Sequence, residues 1–375
     1  MSNPSRGAES TRSGRVPELD LLRFVAAVAV MIYHLTYQPR LHGVLSTNAF
    51  WPFPAVTRYG YLGVTLFFMI SGFVILWSSQ NRSAGEFVVT RIARLYPSFW
   101  VCIAITTLVV DSIGMTGSIS PRTATLNLTM VPDLLGAPYV DGVYWTLFVE
   151  LKFYFLIFIV LATGTMPRVE TWLALWLAAS VACAAGIVPK WFGSLAMYPF
   201  SSYFIAGCLF YLLRTRGVSA FRVGGLVLTC ALGSAYAVAQ QASFMSETSR
   251  GSGIVVAGTV VVLFGIFAAI CLKSGLLPAS RWWYWLGSLT YPLYLLHNRI
   301  SKELAATTLG LWSPWQLLGV QLAVALGLAS VVALVIERNA CSRVQRYLMG
   351  LATRVKLVRA RTVPSEISKA SLTLR

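Results

Sequence analysis

Residues 18–35 read ELDLLRFVAAVAVMIYHL, an apolar stretch of membrane-spanning length in which Arg23 and His34 stand eleven positions apart. On a helix, eleven steps of about 100° return almost to the same face and separate the two residues by about 16 Å. Arg23 then lies near one end, where its charge can also simply extend to the membrane surface. His34 lies at depth, where an ionisable group is costly and marks a functional site. The stretch predicts a membrane helix with His34 as its functional candidate, and leaves Arg23 open between function and anchoring.

The rest of the chain has the same apolar character. Of its 375 residues, 57% are hydrophobic and 11% are charged, and the mean hydropathy is +0.69. Soluble domains carry roughly 25% charged residues, so a soluble fold is excluded. Windows of about 19 residues predict an all-α integral membrane protein of about ten transmembrane helices. The expected spans are 19–37, 60–79, 95–112, 145–162, 171–189, 197–213, 222–240, 254–272, 282–298 and 315–336.

Basic residues set the expected orientation, because loops rich in Lys and Arg stay in the cytoplasm. Clusters at both ends of the chain and between alternate spans place both termini in the cytoplasm. The net charge of +17 fits contact with anionic membrane lipid better than nucleic acid, for which we expect no binding. We divide the chain into a disordered N-terminal tail (1–17), a membrane domain (18–340) and a basic C-terminal tail (341–375).

The segment RIARLYP, residues 91–97, carries two arginines at the expected cytoplasmic mouth of the third span. Arg91 and Arg94 are three positions apart and so share one helix face. Guanidinium groups form paired hydrogen bonds with phosphate oxygens, so the pair suits a phosphate-bearing ligand such as coenzyme A. Ordinary cytoplasmic anchoring is the alternative explanation.

Two further segments place polar groups near the expected outer surface. In YWTLFVELKFYF, residues 144–155, Glu150 lies in an apolar run, where it would orient a histidine, hold a sugar hydroxyl or pair with an arginine. In LGSLTYPLYLLHN, residues 286–298, Tyr291, Tyr294 and His297 follow at three-residue steps. This face is suited to lining a carbohydrate cleft, although tyrosines also belong at membrane interfaces.

The segment FFMISGFVI, residues 67–75, contains Ser71 and Gly72 inside the second span. Small residues allow close helix approach, and we expect that role here because no base adjoins Ser71 in the sequence to make it a nucleophile. The six cysteines form no C-x-x-C pair, so the sequence predicts no metal site and no disulfide framework.

In order and spacing, these segments resemble the acyltransferase 3 family of bacterial integral membrane acyltransferases, over residues 18 to 337. The resemblance rests on five blocks: Arg23 with His34; FF-x-x-SGF at 67–73; Arg91 with Arg94; Trp145, Leu147, Glu150, Phe153 and Tyr154; and Leu286, Gly287, Thr290, Tyr291, Leu293, Tyr294, Leu295 and His297.

The resemblance implies a multi-pass protein of the bacterial inner membrane that binds acyl-CoA from the cytoplasm. It would deliver an acyl group, typically acetyl, to a hydroxyl of an extracytoplasmic carbohydrate or lipid-linked glycan, such as exopolysaccharide or lipopolysaccharide. No permanently bound cofactor is expected, since the acyl-CoA is the donor substrate. A polysaccharide synthesis complex is a further expected partner.

The resemblance also implies roles for the candidate residues. His34 would act as general base or carry the acyl group as acyl-imidazole, with Glu150 as a second catalytic residue. Arg23, Arg91 and Arg94 would hold the CoA phosphates or steady the thioester carbonyl. We assign Tyr291, Tyr294, His297 and Trp145 to substrate binding. Residue 151 is leucine where many relatives have a second acidic residue, so a paired-carboxylate role is not expected.

Three alternatives remain open from the sequence. The acceptor of an acyltransferase could instead be a small secreted metabolite such as a macrolide. A transporter or flippase for a lipid-linked sugar would also place charges within a membrane path. An inactive relative serving as an assembly partner is the third, and the intact Arg23 and His34 argue against it.

Overall fold

The structure is a computed structural model that describes residues 16–46, 48–114, 117–244, 252–273, 280–308 and 310–354. Every regular element within these ranges is helical, as the sequence predicts. The expected N-terminal tail lies outside the described residues except for its last two positions. The part of the expected C-terminal tail after Arg354 also lies outside them.

The helices, in chain order, are α1 (Pro17–Ile32), α2 (Gln38–Leu41), α3 (Pro54–Thr57), α4 (Gly63–Ser79), α5 (Ala84–Ile113), α6 (Pro121–Asn127), α7 (Trp145–Ala162), α8 (Val169–Ala184), α9 (Lys190–Leu195), α10 (Ser201–Arg216), α11 (Ala220–Phe244), α12 (Gly253–Leu272), α13 (Arg281–Leu296), α14 (Arg299–Thr307), α15 (Pro314–Val332) and α16 (Cys341–Arg354). Two π-helical segments, Tyr33–Tyr37 and Ala333–Ala340, join α1 to α2 and α15 to α16. Short 3-10 turns occupy Gly60–Leu62, Pro132–Leu135, Gly142–Tyr144 and Met166–Arg168.

Seven helical stretches in the described residues are long and apolar enough to cross a membrane. They are Pro17–Leu41, Pro54–Ser79, Ala84–Ile113, Gly142–Ala162, Ala220–Ser243, Gly253–Leu272 and Pro314–Arg354. The other three expected spans coincide with α8, α10 and α13, each of 16 residues. At 1.5 Å per residue such a helix is about 24 Å long, somewhat shorter than a hydrocarbon core of about 30 Å. The count of ten and the orientation therefore stay predictions.

Helix α10 forms the centre of the bundle, since its residues from Ser201 to Leu212 are all buried. It crosses α4 where two glycines bring the backbones together. A Cβ atom added at Gly72 would lie 2.2 Å from the carbonyl oxygen of Phe204, and one at Gly207 would lie 2.0 Å from that of Met69. The close approach expected at Gly72 is therefore confirmed.

Helix α1 is held between α4 and α13 by similar close approaches. A Cβ atom at Gly63 would lie 2.6 Å from the carbonyl oxygen of Ala26. On the other side, a Cβ atom at Gly287 would lie 2.9 Å from the side chain of Asp20. These contacts fix α1, which carries Arg23 and leads into the segment of His34.

Candidate active site

A histidine pair joins the two ends of the chain. His34 Nδ1 lies 2.9 Å from His297 Nε2, although the two residues are 263 positions apart in the sequence. His34 lies in the π-helical segment that follows α1, and His297 is the residue that follows the last residue of α13. His297 is 1% exposed. The structure thus joins two residues that the sequence nominated separately.

The surrounding carbonyl groups assign the protons of this pair. His297 Nδ1 lies 2.8 Å from the carbonyl oxygen of Tyr294 and 3.1 Å from that of Leu293. A carbonyl oxygen only accepts, so Nδ1 of His297 carries the hydrogen and Nε2 accepts from His34 Nδ1. His34 Nε2 then keeps its lone pair, which is the arrangement of a general base or a nucleophile.

The π-helical segment around His34 is a local feature that the sequence analysis missed. Thr36, two residues after His34, donates through Oγ1 to the carbonyl oxygen of Ile32 at 2.7 Å. The same hydroxyl lies 2.9 Å from Thr57 Oγ1, so it ties this segment to the chain that precedes α4. π-Helical turns are rare and often occur at functional sites, and this one sets the direction of His34.

A cavity of about 1100 Å³ opens among α1, α4, α5, α7, α13 and the segments around α16. Its wall contains five arginines, Arg23, Arg82, Arg91, Arg94 and Arg338, and three carboxylates, Asp20, Glu150 and Glu337. The structure therefore brings together the three arginines predicted for coenzyme A and adds Arg82 and Arg338. Neither of the added residues belongs to a block that the sequence analysis used.

Two of these arginines form only long ion pairs with acidic groups. Arg23 Nη1 lies 3.9 Å from Asp20, and Arg94 Nη1 lies 3.8 Å from Glu337. The Arg91 guanidinium lies over the ring of Tyr154, 5.9 Å from its centroid. Ion pairs of this length leave guanidinium N–H groups able to bind the oxygens of an anionic ligand.

Glu150 lies in the cavity wall, where it accepts two hydrogen bonds on Oε1. Ser71 donates at 2.6 Å and Tyr154 donates at 2.7 Å. The sequence analysis found no base beside Ser71 in the sequence, and in the structure the carboxylate of Glu150 comes to it from another helix. A local sequence pattern cannot show such a contact, because Ser71 is on α4 and Glu150 is on α7.

Tyr294 forms the boundary between the cavity and the histidine pair. Its ring lies in the cavity wall and packs edge-on against Phe67, with 5.5 Å between centroids. Its hydroxyl is fixed at 2.9 Å from Thr146 Oγ1. The centroid of the His297 ring lies 5.6 Å from that of the Tyr294 ring. Within the described residues, the cavity wall includes Tyr294 but neither histidine.

The two other residues assigned to substrate binding, Tyr291 and Trp145, make no ring contact or hydrogen bond with the histidine pair in the part of the chain that the structure describes. Tyr291 is in the cavity wall with the arginines, and its hydroxyl donates to the carbonyl oxygen of Leu95 at 3.3 Å. Trp145 packs in an aromatic cluster with Phe68 and Phe200. Among the residues that the structure describes, no three His, Cys, Asp or Glu side chains are grouped so as to hold a metal ion.

Comparison with known proteins finds a matching family. A family model described as an acyltransferase domain matches residues 16–337, which is most of the chain. The matched region contains His34, His297, Glu150 and four of the five cavity arginines, and Arg338 directly follows it. No solved structure matches the chain.

Three relatives are similar to this chain over different lengths. Nodulation protein 10 of Rhizobium leguminosarum is 33% identical over 162 residues, 38% of this chain and 43% of that protein. Acyltransferase MdmB of Streptomyces mycarofaciens is 26% identical over 365 residues, 88% of this chain and 92% of that protein. Peptidoglycan O-acetyltransferase OatA of Listeria monocytogenes is 30% identical over 105 residues, 26% of this chain and 14% of that protein.

Proposed function

Because this chain belongs to the acyltransferase 3 family of integral membrane acyltransferases, we propose that it transfers an acyl group across the membrane. The donor is a cytoplasmic acyl-CoA, with acetyl as the expected acyl group. The acceptor is a hydroxyl of an extracytoplasmic carbohydrate or lipid-linked glycan.

One observation carries the proposal: Tyr294 is in the wall of an arginine-lined cavity, and its ring packs against His297 of the His34–His297 pair. The cavity offers binding for an anionic donor, and the histidine pair offers a base for a hydroxyl acceptor. A reaction that joins a phosphate-bearing thioester to a hydroxyl needs both groups at the two ends of one path.

The donor end uses charge and hydrogen bonding. Arg91, Arg94 and Arg23 bind phosphate oxygens of coenzyme A, and Arg82 and Arg338 widen the cationic wall. Deeper in the cavity, Glu150 is held by two hydroxyl donors on Oε1, so its second oxygen accepts from the amide N–H groups of the donor's arm. This gives Glu150 a donor-binding role within the proposal.

The acceptor end supplies the base. His34 Nε2 removes the proton of the acceptor hydroxyl, whose oxygen attacks the thioester carbonyl carbon. The carbon–sulfur bond breaks, the leaving sulfur of coenzyme A takes up the proton that His34 had accepted, and the acceptor becomes an ester. The positive charge formed on His34 is shared with His297 through their hydrogen bond. In the alternative, the same lone pair attacks first and His34 carries the acyl group as acyl-imidazole.

The test uses inverted membrane vesicles that contain the full-length protein and acetyl-CoA labelled in the acetyl group. We expect label to move to a glycan or lipid fraction, and His34→Ala to reduce this transfer by about 10²- to 10⁴-fold. His42→Ala is the matched control, since His42 is the remaining histidine of the chain and is exposed. Transfer that persists in His34→Ala would refute the mechanism.

The same experiment separates an enzyme from a transporter, because a transporter would leave the label on coenzyme A. Mass spectrometry of surface glycans, lipids and secreted metabolites, with and without the protein, identifies the acceptor. A gain of one acyl mass on a secreted small molecule, with glycans unchanged, would overturn the carbohydrate acceptor.

A further inference from the structure

A buried carboxylate lies next to the turn between α13 and α14, which contains His297. Asp141 is fully buried at the end of the long connection that precedes α7. Helix α13 ends at Leu296 and α14 begins at Arg299, so His297 and Asn298 lie between two helices. Residues in such a turn lack the continuous backbone hydrogen bonding of a helix, so other contacts have to fix their positions.

Asp141 supplies the fixing contacts. Its Oδ1 accepts from Asn298 Nδ2 at 2.5 Å and from the backbone N–H of Val143 at 3.1 Å. Its Oδ2 accepts from the backbone N–H of Arg299 at 2.7 Å. Two of these three donors lie within two residues of His297. All three are neutral groups, so these hydrogen bonds hold the carboxylate without cancelling its charge.

We propose that Asp141 is the positioning residue of the histidine pair. It holds the turn between α13 and α14, and thereby the position of His297, and it stabilises the positive charge that forms on the pair. The inference rests on the proposed function, since the charge forms when His34 takes a proton from the acceptor hydroxyl. Asp141 does not touch the reacting atoms and acts through Asn298, the Arg299 amide and its electric field.

The other charges around the pair come from α14. Lys302 is a cation close enough to act electrostatically on both histidines. Burial lowers the pKa of Lys302, while Asp141 acts to raise it. Arg299 pairs with Glu303 at 3.4 Å, so these two charges largely offset each other. Asp141 therefore supplies the negative charge that favours an imidazolium against Lys302.

The uncharged neighbours of the pair do not replace Asp141. The ring of Tyr33 lies edge-on to His34, with 5.2 Å between centroids, and Tyr294 packs on His297. Neither supplies a negative charge. Asp141 thus stabilises the protonated histidine as an acidic residue beside a catalytic histidine does. It does so without direct contact, through its hydrogen bonds to Asn298 and to the backbone N–H of Arg299.

The experiment compares Asp141→Asn with Asp133→Asn, which makes the same charge change at an exposed position of the same connection. Reaction with diethyl pyrocarbonate, which modifies neutral imidazole, is followed at His34 by mass spectrometry as a function of pH, since His34 Nε2 keeps its lone pair. Loss of the carboxylate makes the imidazolium less stable, so we expect the midpoint of modification in Asp141→Asn to fall by about one pH unit. Asp133→Asn should leave the midpoint unchanged.

A swapped variant tests whether charge or folding is responsible. Asp141→Asn combined with Asn298→Asp keeps the hydrogen bond between the two positions and returns one carboxylate to the site. We expect this variant to restore most of the midpoint shift. A midpoint that stays at the wild-type value in Asp141→Asn, or a folded swap that does not restore it, would overturn the proposal.

Acyl transfer is measured on the same preparations. We expect kcat for Asp141→Asn to fall roughly ten- to hundredfold, with the acidic limb of its pH profile displaced to lower pH. Absence of acyl transfer in the wild type would reject the proposed function. The modification midpoints would still decide the role of Asp141, because they require no turnover.

Discussion

Replacing His297 by alanine removes the acceptor of the His34 Nδ1–H hydrogen bond while leaving His34 in place. The bond is 2.9 Å long, and its acceptor is buried. As positive charge develops on His34, the bond becomes charge-assisted and is worth about 1.5–3 kcal/mol. At about 1.4 kcal/mol per tenfold change in rate, we expect kcat to fall by about 10- to 150-fold. The KM for acyl-CoA should change little, because His297 lies outside the cavity wall.

His297→Gln is the matched variant for this prediction. A glutamine carbonyl oxygen accepts from His34 Nδ1, and its amide group donates to the carbonyl oxygen of Tyr294, which His297 Nδ1 now contacts at 2.8 Å. We expect it to recover part of the lost kcat. Steady-state transfer of labelled acetyl groups in vesicles measures both variants. Equal kcat in His297→Ala and the wild type would refute the relay through His297.

Three further predictions concern the bundle, the donor cavity and pH. Gly207→Ala should lower the free energy of unfolding by about 1–3 kcal/mol or more, seen as a lower thermal midpoint, because its Cβ would meet a backbone carbonyl at 2.0 Å; Gly224→Ala, with open space, should not. Arg94→Ala should raise the KM for acyl-CoA by about tenfold with kcat unchanged, whereas a similar rise in Arg168→Ala, an exposed position outside the cavity, would contradict specific binding. An arginine of α11 hydrogen-bonds Glu170 and lowers its pKa, so that contribution to stability is present above the ordinary carboxylate pKa and is lost in acid. Glu170→Gln should therefore lower the thermal midpoint at neutral pH and equal the wild type below about pH 3.

The helices were predictable because apolar length is a local property of the sequence. Each of the ten expected spans corresponds to a helix in the structure. The number of spans was harder to predict, because α10 is only 16 residues long and its residues from Ser201 to Leu212 are all buried. Composition alone does not separate a short core helix from one that contacts lipid.

The site was predictable residue by residue but not as an arrangement. His34 and His297 were nominated from depth and spacing, yet their contact joins positions 263 apart. Ser71 shows the same limit, since its partner Glu150 is on another helix. The sequence analysis did not single out Asp141. An acidic residue directly before an apolar span that carries a glutamate was the available signal for it.

The segment of residues 286–298 connects the donor cavity with the histidine pair. Tyr291, Tyr294 and His297 follow one helix at three-residue steps, so each lies about 4.5 Å further along the axis than the last. Tyr291 is in the arginine-lined wall, Tyr294 is at the boundary, and His297 is beyond it. In the proposed reaction, the thioester has to pass Tyr294, whose hydroxyl is fixed by Thr146 while the Phe67 ring against it is held by packing.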